Sequence, residues 1–452
     1  NKFRTMVMGK ALTSKENNCK MNVQLQLDIP VKYQADICVI GAGPGGIAAA
    51  VCAARLGQKV MLLDGNSMPG GLSTAARIPL LMGYSDGKRI LMKGFGEEVL
   101  SLLNTKYALD CEKLKLVYEK LLNEAGVQVL YTCRFFAVCG EAEKIAAACF
   151  SSTGGNFAVR AKIFVDGTGD GNLAVAAGCD FEIGDDCQHA TMPVTMCSLW
   201  TGFDWDAFHR GKAFSHNDNN MLRLLDDAFK AGELSVPDWH HPGMTKLNAL
   251  LASGNIGHVF DVNPLDEKSV SAALMRSRRQ LKEYENFYRK HVAGFANAVI
   301  ADSGSMLGIR ESRRIIGEYI LNRDDYEARR SFPDEIGRYN FPADIHPSNP
   351  TQEALKEHKL HFRSEAYRPG ESYGVPYRIL VPKKRINLLT CGRCVSCDRY
   401  VFASLRVIPG CFITGQAAGY AAALCAEENC SPYLLNPQRL RRVMNERHAL
   451  LE

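Results

Sequence analysis

The chain has 452 residues, 46% of them hydrophobic, and a formal net charge of +5. That length supports one or two substantial cores, and the slight positive charge, with no basic arm or Lys/Arg block, excludes the usual footprint of a nucleic-acid binder. No apolar run approaches the roughly 18–20 residues of a membrane span; the sixteen cysteines, among them Cys38, Cys52, Cys149 and Cys425, sit mostly in apolar patterns, as buried free thiols do.

Residues 1–34 show no sustained periodicity and are expected to form an irregular N-terminal arm. They lack the basic-then-apolar-then-small order of a secretory signal, so the expected compartment is the cytoplasm. Asp36–Ile40 reads as a buried strand, Ile47–Leu56 as a helix ending at Gly57, and Val60–Leu63 as a second buried strand. Strand, glycine turn, helix and strand in that order open a doubly wound sheet. Leu114, Val117, Tyr118, Leu121 and Leu122 share one face of a helix over Asp110–Glu124. A strand follows at Val127–Tyr131, then a small antiparallel meander to Arg160, then a buried strand at Ile163–Val165.

Composition shifts near residue 190 towards Asp, Asn, His, Trp and Arg, with a charged helix expected over Leu274–His291. After Pro382 the buried α/β character returns, with a strand at Ile386–Thr390 and an Ala/Gly-rich helix at Phe412–Ala426. The expected fold class is therefore α/β. A Rossmann-like dinucleotide-binding domain is split between 35–189 and 381–452, and an α+β cap or substrate domain over 190–380 is inserted in it.

Gly41-Ala42-Gly43-Pro44-Gly45-Gly46 carries glycines at the first, third and sixth places of the dinucleotide fingerprint. The first allows a tight turn, the second lets backbone approach a pyrophosphate, and the third lets helix and strand pack closely, with the helix N-terminus facing phosphate charge. Asp64 ends the next strand about 20 residues on, where a ribose-binding acid belongs. A nicotinamide enzyme needs only this unit. Here a second glycine turn runs from Gly167 to Gly171 and a third from Gly415 to Gly419, and together they favour FAD, a long cofactor touching several strand ends.

With Pro69-Gly70-Gly71-Leu72-Ser73-Thr74, Asp166-Gly167-Thr168-Gly169-Asp170-Gly171, the block from Gly308 to Tyr319, Asp344-Ile345-His346, and the blocks from Val375 to Gly419, the chain resembles the bacterial FAD-dependent oxidoreductases over roughly residues 30–428. These are two-dinucleotide-fold flavoproteins related to the fumarate reductase and glutathione reductase types. The resemblance implies non-covalent FAD. It implies that Gly41, Gly43, Pro44, Gly45, Gly46, Asp64 and Gly65 hold the pyrophosphate and adenosine ribose. Gly71, Leu72, Ser73 and Thr74 would lie along the cofactor near the ribityl chain, Gly169 and Asp170 close to the adenosine half, and the backbone at Phe136 and Ala137 near the adenine. Gly392, Arg393 and the turn around Gln416 would reach the flavin end. The loop Ser396-Cys397-Asp398-Arg399-Tyr400 departs from the family's pattern, and it is expected to face the flavin.

Cys391, Cys394 and Cys397 form a Cys-x-x-Cys-x-x-Cys run. Cluster ligands, a redox thiol pair stabilised by Arg393 or Arg399, and plain buried thiols are the three readings. Arg310, Arg313 and Arg314 beside Glu311 suit either an anionic substrate or an internal ion pair. His240-His241 with Asp238 reads as loop surface, and no metal is expected. Arg393, Arg310 and His346 are the candidates for orienting substrate or moving a proton. The expected activity is hydride transfer between flavin N5 and a small-molecule substrate, with neither nucleic acid nor membrane as partner. The alternative is an electron-transfer subunit using the cysteine loop.

Overall fold

The computed structural model describes residues 24–451 except 142, 186, 211–218, 239, 241–243, 352, 353, 355 and 357–366. Five short strands form an all-parallel sheet in the order Leu388–Thr390, Ile163–Asp166, Ile37–Ile40, Val60–Leu63 and Gln128–Leu130. The three central strands and Leu388–Thr390 are buried along their whole length. That is why they read as continuous apolar runs rather than alternations.

The two sheet faces bury different partners. Ile37, Val39, Val60, Leu62 and Val165 point into a core shared with the helices Pro44–Ala54, Cys111–Glu124 and Ile408–Glu428. Cys38, Ile40, Met61, Leu63 and Phe164 point the other way, against Phe150, Phe157 and Val159. The latter belong to the expected meander of Arg134–Glu141, Lys144–Ser152 and Gly155–Arg160. Val31–Gln34 adds to this second sheet, parallel to Gly155–Arg160. The end of the supposed irregular arm is therefore a strand, too short for periodicity to announce.

A third, antiparallel sheet is ordered Met244–Lys246, Ala252–Gly254, Ser198–Thr201 and Val299–Ser303. The helices Asn219–Lys230 and Glu267–His291 pack on it around Trp200, Leu225, Phe287 and Phe295. The longer helix starts at Glu267 rather than Leu274 because the Asp266 carboxylate caps it, accepting from the amides of Lys268 and Ser269. Among the described residues, no single helix is long and apolar enough to cross a membrane. The bent pair Arg399–Leu405 and Ile408–Glu428 has suitable composition, and its apolar residues are buried in the protein's own core.

Candidate functional site

At the C-terminal ends of the parallel strands, where open α/β sheets bind ligands, lies a cavity of about 870 Å³. Gly41 enters it with φ +98°, a left-handed backbone in which a Cβ would meet the Gly167 carbonyl oxygen at 2.5 Å. A Cβ on Gly46 would lie 1.9 Å from the Gly41 oxygen, so Gly46 lets the helix Pro44–Ala54 sit directly on its strand. Gly43 differs, since a Cβ there would meet only the Gly167 oxygen, at 3.8 Å. Its absence keeps open the space before the helix N-terminus, where backbone amides and the helix dipole favour phosphate charge.

From this turn the cavity runs in two directions. On one side it is lined by Asp64, Gly65, Asn66 and Cys133–Phe135. Asp64 accepts from the Ala42 amide at 2.6 Å and the Asn66 amide at 2.7 Å, which fixes the carboxylate at the cavity wall. Gly71–Ser73, with Gly71 against Gly43, and the turn Gly167–Asp170 also line the cavity. Buried Asp166 shapes the latter turn by accepting from the amides of Thr168 and Ala174. Arg393 closes over it, pairing with Asp170 at 2.6 Å and donating to the Ser312 hydroxyl at 2.8 Å. Burial works to raise the pKa of Asp170, but the Arg393 guanidinium and the Ser312 hydroxyl outweigh it, leaving the carboxyl below its usual range.

The far end is built from Gly392, Arg393, the helix start at Val407 and Ile408, and, from between residues 190 and 380, Thr195, Cys197, Asn255 and Arg310. Arg310 donates to the Pro193 carbonyl at 2.8 Å and the Thr195 hydroxyl at 3.0 Å, and its other amino group faces His240 at 3.5 Å. Burial, with the nearby Arg406 guanidinium, pushes its pKa down to about 10; it is still a cation at neutral pH. His240, His258 and His346 gather beside it with ligand-type atoms within 4.8 Å of one another.

A sequence profile of the family described as FAD dependent oxidoreductase matches residues 36–444. The chain belongs to that family. Its members' cofactor suits this cavity: the space left at Gly43 admits a pyrophosphate, Asp64 stands at one end, and the amino end of the 21-residue helix Ile408–Glu428 stands at the other. A segment of 45 residues, 10% of this chain, is 56% identical to the sarcosine oxidase alpha subunit of Rhizobium meliloti (strain 1021), and spans 5% of that protein. Among solved structures, the chain is similar to a geranylgeranyl bacteriochlorophyll reductase-like protein of Thermoplasma acidophilum, at 15% identity, TM-score 0.45 and coverage of 92% of this chain and 84% of that one. It is similar also to the flavin-dependent brominase Bmp2, at 12% identity, TM-score 0.45 and coverage of 91% and 84%.

The FAD-dependent oxidoreductase site differs from the sequence expectations at several residues. Gln416 is no turn. It lies inside the helix Ile408–Glu428, accepting from the Phe95 amide and donating to the Ala449 carbonyl. Gly415 and Gly419, one turn apart on that helix, abut the backbones of Gly45 and Ala49. The third glycine signal is thus helix packing, which shares small residues with turns. Thr74 is buried with its hydroxyl on the Pro69 carbonyl, outside the cavity lining. Phe136 and Ala137 are also outside it. The cavity meets that strand at Cys133–Phe135, because the Cys133 amide is tied to the Asp64 carbonyl and fixes where the strand begins.

The loop Ser396–Tyr400 does not line the cavity. Asp398 caps the helix Arg399–Leu405, and Arg399 pairs with Glu311 at 3.1 Å. Cys391 and Cys397 are buried in the helix-side core and Cys394 in the opposite one. Burial pushes all three thiols up, which disfavours a thiolate at each and gives the redox-thiol reading no support. The arginine trio divides: Arg314 pairs internally with Glu311 at 3.0 Å, Arg313 bonds the Asp170 carbonyl, and Arg310 alone lines the cavity. His240 is not loop surface. It stacks on His258 at 4.0 Å in the cavity wall, whereas His241 lies outside the described residues. Sequence reasoning gave His258 and Arg406 no role. Arg406 stands in a family block, but nothing local to His258 distinguishes it.

Proposed function

We propose that this FAD-dependent oxidoreductase transfers a hydride between flavin N5 and a small substrate with an anionic group, bound at the Arg310 corner. The observation carrying this reading is the continuity of one cavity from the glycine turn at Gly41 to Arg310 and His346. Bound FAD supplies the two-electron chemistry, and the protein supplies orientation, charge and exclusion of water. Arg310 suits the anion because its contacts to Pro193 and Thr195 hold the guanidinium plane still. His346, at the same corner, is placed to move a proton. Arg393 acts differently: its pairing with Asp170 makes it a positioning residue for the cofactor turn.

The test is anaerobic reduction of the bound flavin, followed by reoxidation with a panel of unsaturated acids, keto acids and quinones. An acidic acceptor is expected to reoxidise it, and Arg310→Ala to raise KM at least tenfold while flavin stays bound. Reoxidation by neutral acceptors alone, insensitive to Arg310→Ala, would overturn the reading.

A further inference from the structure

Four side chains form a chain beside Arg310: Asp238, His258 and His346 are buried, Asp344 is half-buried, and all but Asp238 line the cavity. Asp238 meets Nδ1 of His258 at 3.2 Å, Nε2 of His258 meets Nδ1 of His346 at 2.9 Å, and Nε2 of His346 meets Asp344 at 3.0 Å. Each of these three contacts needs one hydrogen. Two neutral imidazoles carry only one each. Both carboxylates are committed as acceptors: Asp238 receives the backbone amides of His240 and His258, and Asp344 receives Arg406 at 3.2 Å. The outer ring nitrogens therefore both carry hydrogen, and the inner pair, 2.9 Å apart, would be two lone pairs face to face unless a third proton lies between them.

We propose that His258 and His346 store this extra proton, so that the site is loaded to reduce a polarised C=C or C=O bond next to the substrate's anionic group. This rests on the Arg310 corner being the place where substrate is processed. The proton resides on His258, which donates to a neutral His346. Burial, with Arg310 and His258 adding to it against the opposing pull of Asp344, holds His346 well below the ordinary histidine range. His240, stacked on the His258 ring, is likewise held neutral by burial and by the charge beneath it. Among the described residues, Arg310, Arg406, Cys197 and Tyr284 also face the pair; burial keeps the thiol and the phenol protonated. Two guanidinium groups and two carboxylates then cancel, and the stored proton makes the corner net positive towards an arriving anion.

In the donating step the N–H bond at His346 Nε2 breaks and the hydrogen bonds to the substrate atom that gains electron density. The His258 Nε2 proton moves to His346 Nδ1, leaving both rings neutral. The hydride for the other end of the double bond comes from the family's two-electron chemistry, and water reloads the pair.

The experiment is nitrogen-15 NMR of histidine-labelled, FAD-loaded protein at about pH 8, well above the ordinary histidine pKa of ~6.5. One ring with both nitrogens protonated is expected. It should vanish in His258→Gln and also in Asp344→Asn, because a carboxamide donates the missing hydrogen to His346 Nε2. Flavin absorbance checks that each variant is folded. Only neutral rings in the unaltered protein, persistence of the doubly protonated ring in Asp344→Asn, or a stoichiometric metal by elemental analysis would each overturn the proposal. A protonated ring in a protein that reduces no member of the acceptor panel would instead sink the functional reading on which it rests.

Discussion

Gly43 and Gly46 stand three residues apart at one helix start, yet a methyl group at each meets different surroundings. At Gly46 it strikes the Gly41 carbonyl, and at Gly43 it enters the cavity. Gly46→Ala is therefore expected to destabilise the flavin-free protein by about 1–3 kcal/mol, the range for overpacking. Gly43→Ala should leave the flavin-free melting temperature unchanged and weaken FAD binding at least tenfold, or ~1.4 kcal/mol. Calorimetry and flavin titration separate the two, and equal effects on both readouts would refute the division of roles.

The Arg393–Asp170 pair makes a pH prediction. A carboxyl held below its unfolded value adds stability above the unfolded pKa of ~3.9 and loses it as pH falls through the folded value. Removing the guanidinium by Arg393→Met should move the acid-unfolding midpoint of the flavin-free protein to higher pH. Superimposable acid limbs would show that the pair contributes nothing.

At the scale of elements, the sequence pattern placed the strand Leu388–Thr390 and the long helix Ile408–Glu428 but misread one surface of that helix. Helical spacing cannot say whether Gly415 and Gly419 face a ligand or another helix, because both need small residues. The close approach of Pro44–Ala54 to Ile408–Glu428 decides it. Gly419→Val, which puts a branched side chain against the Ala49 backbone, should lower the melting temperature and release flavin without altering any cavity residue. Unchanged flavin retention would show that the first helix does not depend on this contact. The cysteine run is the second case, since spacing suggested ligands while packing sends the thiols into two cores. Iodoacetamide at about pH 8 should label exposed Cys187 and spare Cys391, Cys394 and Cys397 until the protein unfolds. Fast labelling of any of the three in folded protein would refute their burial.

Over the whole molecule, what was legible in the sequence was whatever is local: buried strands, the fingerprint at Gly41–Gly46, the amphipathic helix over Asp110–Glu124, and the return of α/β character after Pro382. The His258–His346 pair was not legible, because Asp238, His258 and Asp344 come from separate segments and meet only through the tertiary fold. The cavity joins parts distant in the chain, so FAD should bind folded protein alone. Stripping it should lower the melting temperature, and free FAD at a hundredfold over Kd should restore about 2.7 kcal/mol. No shift on adding FAD would contradict the cavity as its site.

The sheet order also sets a timetable. Ile163–Asp166 must wait for Leu388–Thr390, its neighbour, roughly 220 residues later; at ribosomal rates that is on the order of 10–40 s. Throughout that interval the small-residue face of Pro44–Ala54 has no helix to cover it. A growing chain thus carries an unfinished edge and a bare apolar helix, and flavin capture waits until Gly392, Arg393 and the helix Ile408–Glu428 have emerged.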